Sequence, residues 1–149
     1  MFDDVWRAIW SACVACRVAA TGVDQSHRHE NIWGEVCAAI AYSDFTIAVV
    51  APEASGVPNP NVMLEIGYAR ALKKPVLLLT SAPDTLPFYL RTQRALLYEP
   101  RAVGGGAFHK DLVSFVDGIV AACGRNDAAG QSSAPGNDAI YPATMTKDL

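Results

Sequence analysis

A chain of 149 residues has room for one domain with a single sizeable core. Half of its residues are hydrophobic (51%), and 12 basic against 15 acidic side chains leave a net charge of −3. That balance gives no ground for nucleic acid or an anionic membrane surface as a partner, and no apolar run approaches the length of a bilayer-spanning helix.

The first residues, Met-Phe-Asp-Asp-Val-Trp-Arg, are acidic and lack the basic start and apolar core of a signal peptide, so a cytoplasmic protein is expected. Phe2, Val5, Trp6, Ile9, Cys13 and Cys16 recur at three- and four-residue steps, which predicts an amphipathic helix over 3–15. Residues 17–21 follow as an alanine-rich candidate strand. The polar connection 24–30 carries His27 and His29, which could contact a phosphate or act as acid or base, or simply be solvated loop histidines. Ile32, Val36, Ala39 and Ile40 restore helical spacing over 31–42, and 45–50 is a β-branched and aromatic strand.

Residues 52–58, rich in Pro, Gly and Ser, read as a loop. It leads into Asn59, a helix N-cap, and Pro60, placed at the first helical position where a missing N–H costs nothing. The helix ends at Lys73-Lys74 before Pro75, and 76–79 is an apolar run of the kind buried on both faces of a parallel sheet. A second loop, 80–87, precedes one helical turn over 88–93 and a last strand over 95–98. Gly104-Gly105-Gly106 is a hinge before a closing amphipathic helix over 107–123, ended near Gly124. From Arg125 the composition is that of a flexible tail, which divides the chain into a domain over 1–124 and a tail over 125–149. Alternation of helix and strand argues a parallel sheet sandwiched by helices.

Cys13, Cys16, Cys37 and Cys123 are the only cysteines. The C-x-x-C spacing of Cys13 and Cys16 lies in an apolar helical segment with no second pair to complete a zinc site, so these read as small core residues rather than metal ligands.

One residue stands out inside the 59–74 helix. Glu65 lies between Leu64 and Ile66, with Asn61 four residues before it and Tyr68 three after, on a shared face. It reads either as a solvent-facing glutamate, since Glu is rarely buried unless paired, or as a carboxylate held at the mouth of a sheet. The loop before the helix arches over the carboxyl end of a strand, where open α/β sheets bind ligands, and brings Pro52 and Glu53 to the same edge.

Residues 59–67, N-P-N-V-M-L-E-I-G, followed by Tyr68-Ala69 and Lys74-Pro75-Val76, resemble the nucleoside 2-deoxyribosyltransferase superfamily, closest to its TIR-like, nucleotide-binding branch. The likeness covers roughly residues 40–98. It implies a flavodoxin- or Rossmann-like three-layer sandwich and assigns the role of nucleophile to Glu65. A substrate-binding Asp of the transferases falls on Asn59, and an aspartate after the preceding strand falls on Ala51-Pro52, with Glu53 next. The superfamily opens with a central strand before its first helix. This chain begins inside that helix, so the true start lies upstream, another segment fills the gap, or the sheet is smaller.

A carboxylate can capture or stabilise the cation-like sugar centre formed when an N-glycosidic bond breaks. Asn59, Asn61, Tyr68 and the 52–58 loop are candidates to hold the substrate, and Asp84 or Glu53 to supply a second carboxylate, whereas Arg70 and Arg91 read as surface charges that are available to a phosphate. The expected partner is a small nucleoside or nucleotide, with no metal and no cofactor, and a homodimer follows by analogy. Three functions remain open: cleavage or transfer at a nucleoside's glycosidic bond, cleavage of NAD, or nucleotide sensing without turnover.

Overall fold

The central strands are apolar on both sides, as a sheet covered by helices on two faces requires. In the computed structural model, which describes residues 2–22, 32–53, 55–130 and 141–146, the elements run α1 (Phe2–Ala15), β1 (Val18–Gly22), α2 (Ile32–Tyr42), β2 (Phe45–Val49), α3 (Pro60–Ala71), β3 (Val76–Thr80), α4 (Phe88–Arg91), β4 (Ala95–Leu97), α5 (Gly106–Gly130) and β5 (Tyr141–Thr146). One face of the sheet gathers Phe45, Ile47 and Val49 of β2 with Leu77 and Leu79 of β3, under Val5 and Ile9 of α1 and Leu112 and Val116 of α5. The alternate residues Ala48, Val50 and Leu78 face the other way, against Val62 and Ile66 of α3 and Leu86 and Leu90 beside and within α4. Val36 and Ile40 of α2 meet Ala69 of α3 on that same side. The result is the expected three-layer sandwich.

All strand pairs are parallel, in the order β1-β5-β2-β3-β4. Residues 141–146, which composition assigns to a flexible tail, are therefore an interior strand, second in the sheet. They pair with β1 from Val18↔Tyr141 to Gly22↔Met145 and with β2 from Phe45↔Ala143 to Ala48↔Thr146. The last described segment of the chain thus lies between β1 and β2. The reason for the misreading is physical. The segment has little apolar character, and a proline inside a run argues against a central strand. Here Pro142 is the second residue of the strand, registered with Ala19 on the β1 side, while pairing to β2 starts only at Ala143. The proline thus lies before the two-sided part of the ladder.

The other boundary shifts have local causes. Arg17 adopts a left-handed conformation (φ 58°), which closes α1 with its N–H on the Val14 carbonyl at 3.1 Å and delays β1 to Val18. Lys73 does the same after α3 (φ 58°), with Lys74 N–H reaching back to the Ala69 carbonyl at 2.9 Å in a Schellman-type stop that normally uses glycine. α5 runs to Gly130 rather than stopping near Gly124. Glycine costs a helix interior only about 1 kcal/mol relative to alanine, and α5 already accommodates Gly118. At Gly22 the end of β1 abuts the Trp6 ring so closely that a Cβ there would lie 2.2 Å from it. Among the described residues no helix is long and apolar enough to cross a membrane.

Ala143 is registered with Ala20 on one side and Phe45 on the other. Ala143→Pro removes a ladder N–H in mid-sheet and should destabilise the fold by about 1–3 kcal/mol, read as a lower urea midpoint. A segment without a place in the sheet would accept the proline with no change in midpoint.

Candidate active site

α3 starts at the carboxyl edge of the sheet because β2 ends there. Val50 extends the β2 ladder by one N–H···O bond to Leu79 (2.8 Å), and the chain then turns out into the 52–58 loop. That loop is closed on itself. Pro52 and Pro58 form an isolated bridge, Glu53 N–H donates to Val57 O at 3.0 Å, and Gly56 N–H donates to Glu53 O at 2.9 Å. Gly56 supplies the positive φ (78°) that this turn demands. Pro52 is half-buried, whereas the Glu53 side chain is exposed.

The loop delivers Asn59 to the helix start. Asn59 is 4% exposed, and its Oδ1 accepts the Asn61 N–H at 2.8 Å, as the N-cap reading requires. Pro60 follows at the first helical position. The side-chain oxygen of Asn59 is thus engaged in the cap.

Glu65 occupies the second turn, about 9 Å along the axis from the cap. It is 5% exposed, so the solvent-facing reading does not describe it. The buried stripe of α3 is Val62, Glu65, Ile66 and Ala69, spaced i, i+3, i+4 and i+7. Val62 and Ile66 pack over β2 and β3, and Ala69 packs on α2. Glu65 holds a core position at the junction of those two clusters, where a helix would ordinarily place Leu or Val. Tyr68 is half-buried on the α2 side, its ring edge-on to Trp33 with centroids 6.0 Å apart. Asn61 is exposed, so it reaches the rim rather than the buried side. Trp33 carried no sequence signal beyond its place near the start of a helix.

The remaining candidates separate. Arg91 donates from Nε to Leu86 O and from Nη2 to Asp84 O, both at 2.7 Å, so its guanidinium holds the 84–91 turn rather than standing free for phosphate. Asp84 is exposed. Arg70 is half-buried, and its Nη2 has no hydrogen-bond partner among the described residues. His27 and His29 lie outside the described residues.

On the opposite face, Cys13 is buried in the α1–α5 cluster. Burial, reinforced by the neighbouring Cys16, pushes its thiol up to about 12. Burial also raises Cys16, with Asp117 adding to it, and the Cys16 Sγ lies 3.5 Å from Val113 O. Among the described residues no group of three or more His, Cys, Asp or Glu side chains could hold a metal ion.

Two predictions follow from this geometry. Asn59→Ala removes the cap and should cost about 1 kcal/mol, whereas Asn59→Asp should hold near wild-type stability, both read by thermal unfolding. Because the folded-state pKa of Cys13 lies above its unfolded value, the neutral thiol stabilises the fold below pH 9 and that contribution is lost as pH rises towards 12. Cys13→Ala should therefore flatten the alkaline limb of the stability profile. An unchanged slope above pH 9 would mean that the thiol is not buried in the folded chain.

The family model described as nucleoside 2-deoxyribosyltransferase matches residues 16–109, from the end of α1 into the start of α5. No curated protein and no solved structure matches the chain. The match covers the buried carboxylate on α3, the loop and cap before it and the strands beneath, and on its extent the chain belongs to the nucleoside 2-deoxyribosyltransferase family.

Proposed function

We propose that this domain binds a nucleoside or nucleotide and cleaves or transfers at its N-glycosidic bond, with Glu65 as the nucleophile. The observation that carries the reading is a glutamate only 5% exposed in an otherwise apolar helix stripe, below a capped helix start at the carboxyl edge of a parallel sheet. Packing alone would place an apolar side chain there, because burying a carboxylate is costly, and buried acidic side chains are found at functional sites. Membership of a family of nucleoside-processing proteins supplies the substrate class.

In the first step the ionised Glu65 attacks the anomeric carbon as the bond to the base nitrogen breaks. The base leaves with the bonding pair and takes up a proton, and a glycosyl ester remains on the enzyme. Water or a second base then attacks the same carbon from the vacated face, freeing the carboxylate. Two inversions give net retention. The dry surroundings of Glu65 strengthen its interaction with the positive charge that develops on the sugar. Asn59 through its Nδ2, Asn61 and the backbone of the 52–58 loop are the candidates to hold sugar hydroxyls.

A second reading, nucleotide binding without turnover, is favoured by Asn59, which stands where the transferases carry an acid and whose oxygen is engaged in the cap. NAD cleavage in the manner of TIR-like proteins is a variant of the first reading with a different leaving group. Incubation with deoxynucleosides, nucleoside monophosphates and NAD, followed by chromatography for free base, separates the three. Base release from deoxynucleosides should fall about 100-fold or more in Glu65→Gln. Full rate in that variant removes Glu65 as nucleophile, nicotinamide alone favours the NAD reading, and binding without any base release favours the sensor.

A further inference from the structure

We infer that Trp33 is the stacking surface for the base, and so a base-binding residue of this site; the inference rests on the proposed nucleoside reading. Trp33 lies in the first turn of α2 and is 42% exposed. It joins none of the apolar clusters that bind α2 to the sheet, where Val36 and Ile40 do that work. Its contact is with Tyr68, whose ring meets the indole edge-on at 6.0 Å and 66°. An edge-on contact fixes the plane of the indole without covering both of its faces.

Tyr68 lies three residues beyond Glu65, which places their Cβ atoms about 5–6 Å apart on one side of α3. Glu65, Tyr68 and Trp33 therefore form a row that starts at a buried carboxylate and ends at a half-open aromatic plane. A nucleoside has the same layout, with a sugar carbon that must meet the carboxylate and a flat base joined directly to it. Asn59 and the 52–58 loop stand at the α3 start, on the sugar side, and cannot supply a flat apolar surface. Every base has a π-face, so a stacking contact of this kind binds purines and pyrimidines alike and leaves selection among them to edge contacts.

Calorimetric titration of the full chain with deoxyadenosine, thymidine and 2-deoxyribose tests the assignment. Trp33→Leu should weaken both nucleosides about tenfold or more and leave the free sugar unchanged, and Trp33→Phe should restore most of the loss. Where base release is measured, the change should appear in KM with kcat nearly constant. Deoxyadenosine should also quench tryptophan emission in the wild type and not in Trp33→Phe. Equal nucleoside affinity in Trp33→Leu and wild type overturns the stacking role while leaving the proposed function standing. Equal weakening of sugar and nucleoside shows general damage to the site and likewise overturns it. No nucleoside binding in the wild type removes the proposed function itself, and this inference with it.

Discussion

Six residues hold the two parts of the sheet together. β1 has no strand partner but β5 in the described ladder, and β5 in turn pairs with β2. Without the strand at 141–146, β1 would stand two strand spacings, about 10 Å, from β2. β1, against which α1 packs, would then have no bonded neighbour in the described ladder. Each ladder hydrogen bond contributes only about 1 kcal/mol net, yet a strand bonded on both edges sums many of them. It also closes the floor on which α2 and α3 rest. The order of the sheet is thus set by the last segment of the chain to be described, and the site depends on that order.

On that floor the chain places a carboxylate where packing alone would choose a methyl group. Val62, Ile66 and Ala69 behave as core residues should, and Glu65 sits among them at 5% exposure. An acidic side chain in such a stripe lowers stability unless its surroundings compensate, which is why residues of this kind concentrate at functional sites. The surrounding elements are built with care for geometry rather than for apolar area. Asn59 caps the helix, Gly56 turns the loop, and Arg91 ties the opposite turn to its own carbonyls. These contacts fix the start of α3, the loop before it and the 84–91 turn.

Local chemistry was legible in the sequence and long-range pairing was not. Asn59, Pro60, Lys73 and Pro75 state where α3 begins and ends, and the structure follows them closely. The β2 run of β-branched and aromatic residues is buried along its whole length. The three-layer sandwich, the family and the position of Glu65 on a functional-looking helix were all within reach of periodicity and motif. β5 was not, because nothing in Tyr-Pro-Ala-Thr-Met-Thr announces an interior strand. Its place is determined by an empty slot in a sheet made elsewhere. The contacts of Trp33 and Arg91 were not legible for a related reason. What each does depends on a neighbour, Tyr68 in one case and two backbone carbonyls in the other, which only the folded chain brings near.

The central claim is that the buried carboxylate forms a bond to the sugar. Rapid acid quench of the protein during incubation with a deoxynucleoside, followed by peptide mass analysis, reads that bond directly. The account predicts a peptide carrying the mass of one deoxyribosyl group, with fragmentation placing it on Glu65. Free base accumulating with no adduct on any peptide, or with the adduct on a different residue, would contradict it.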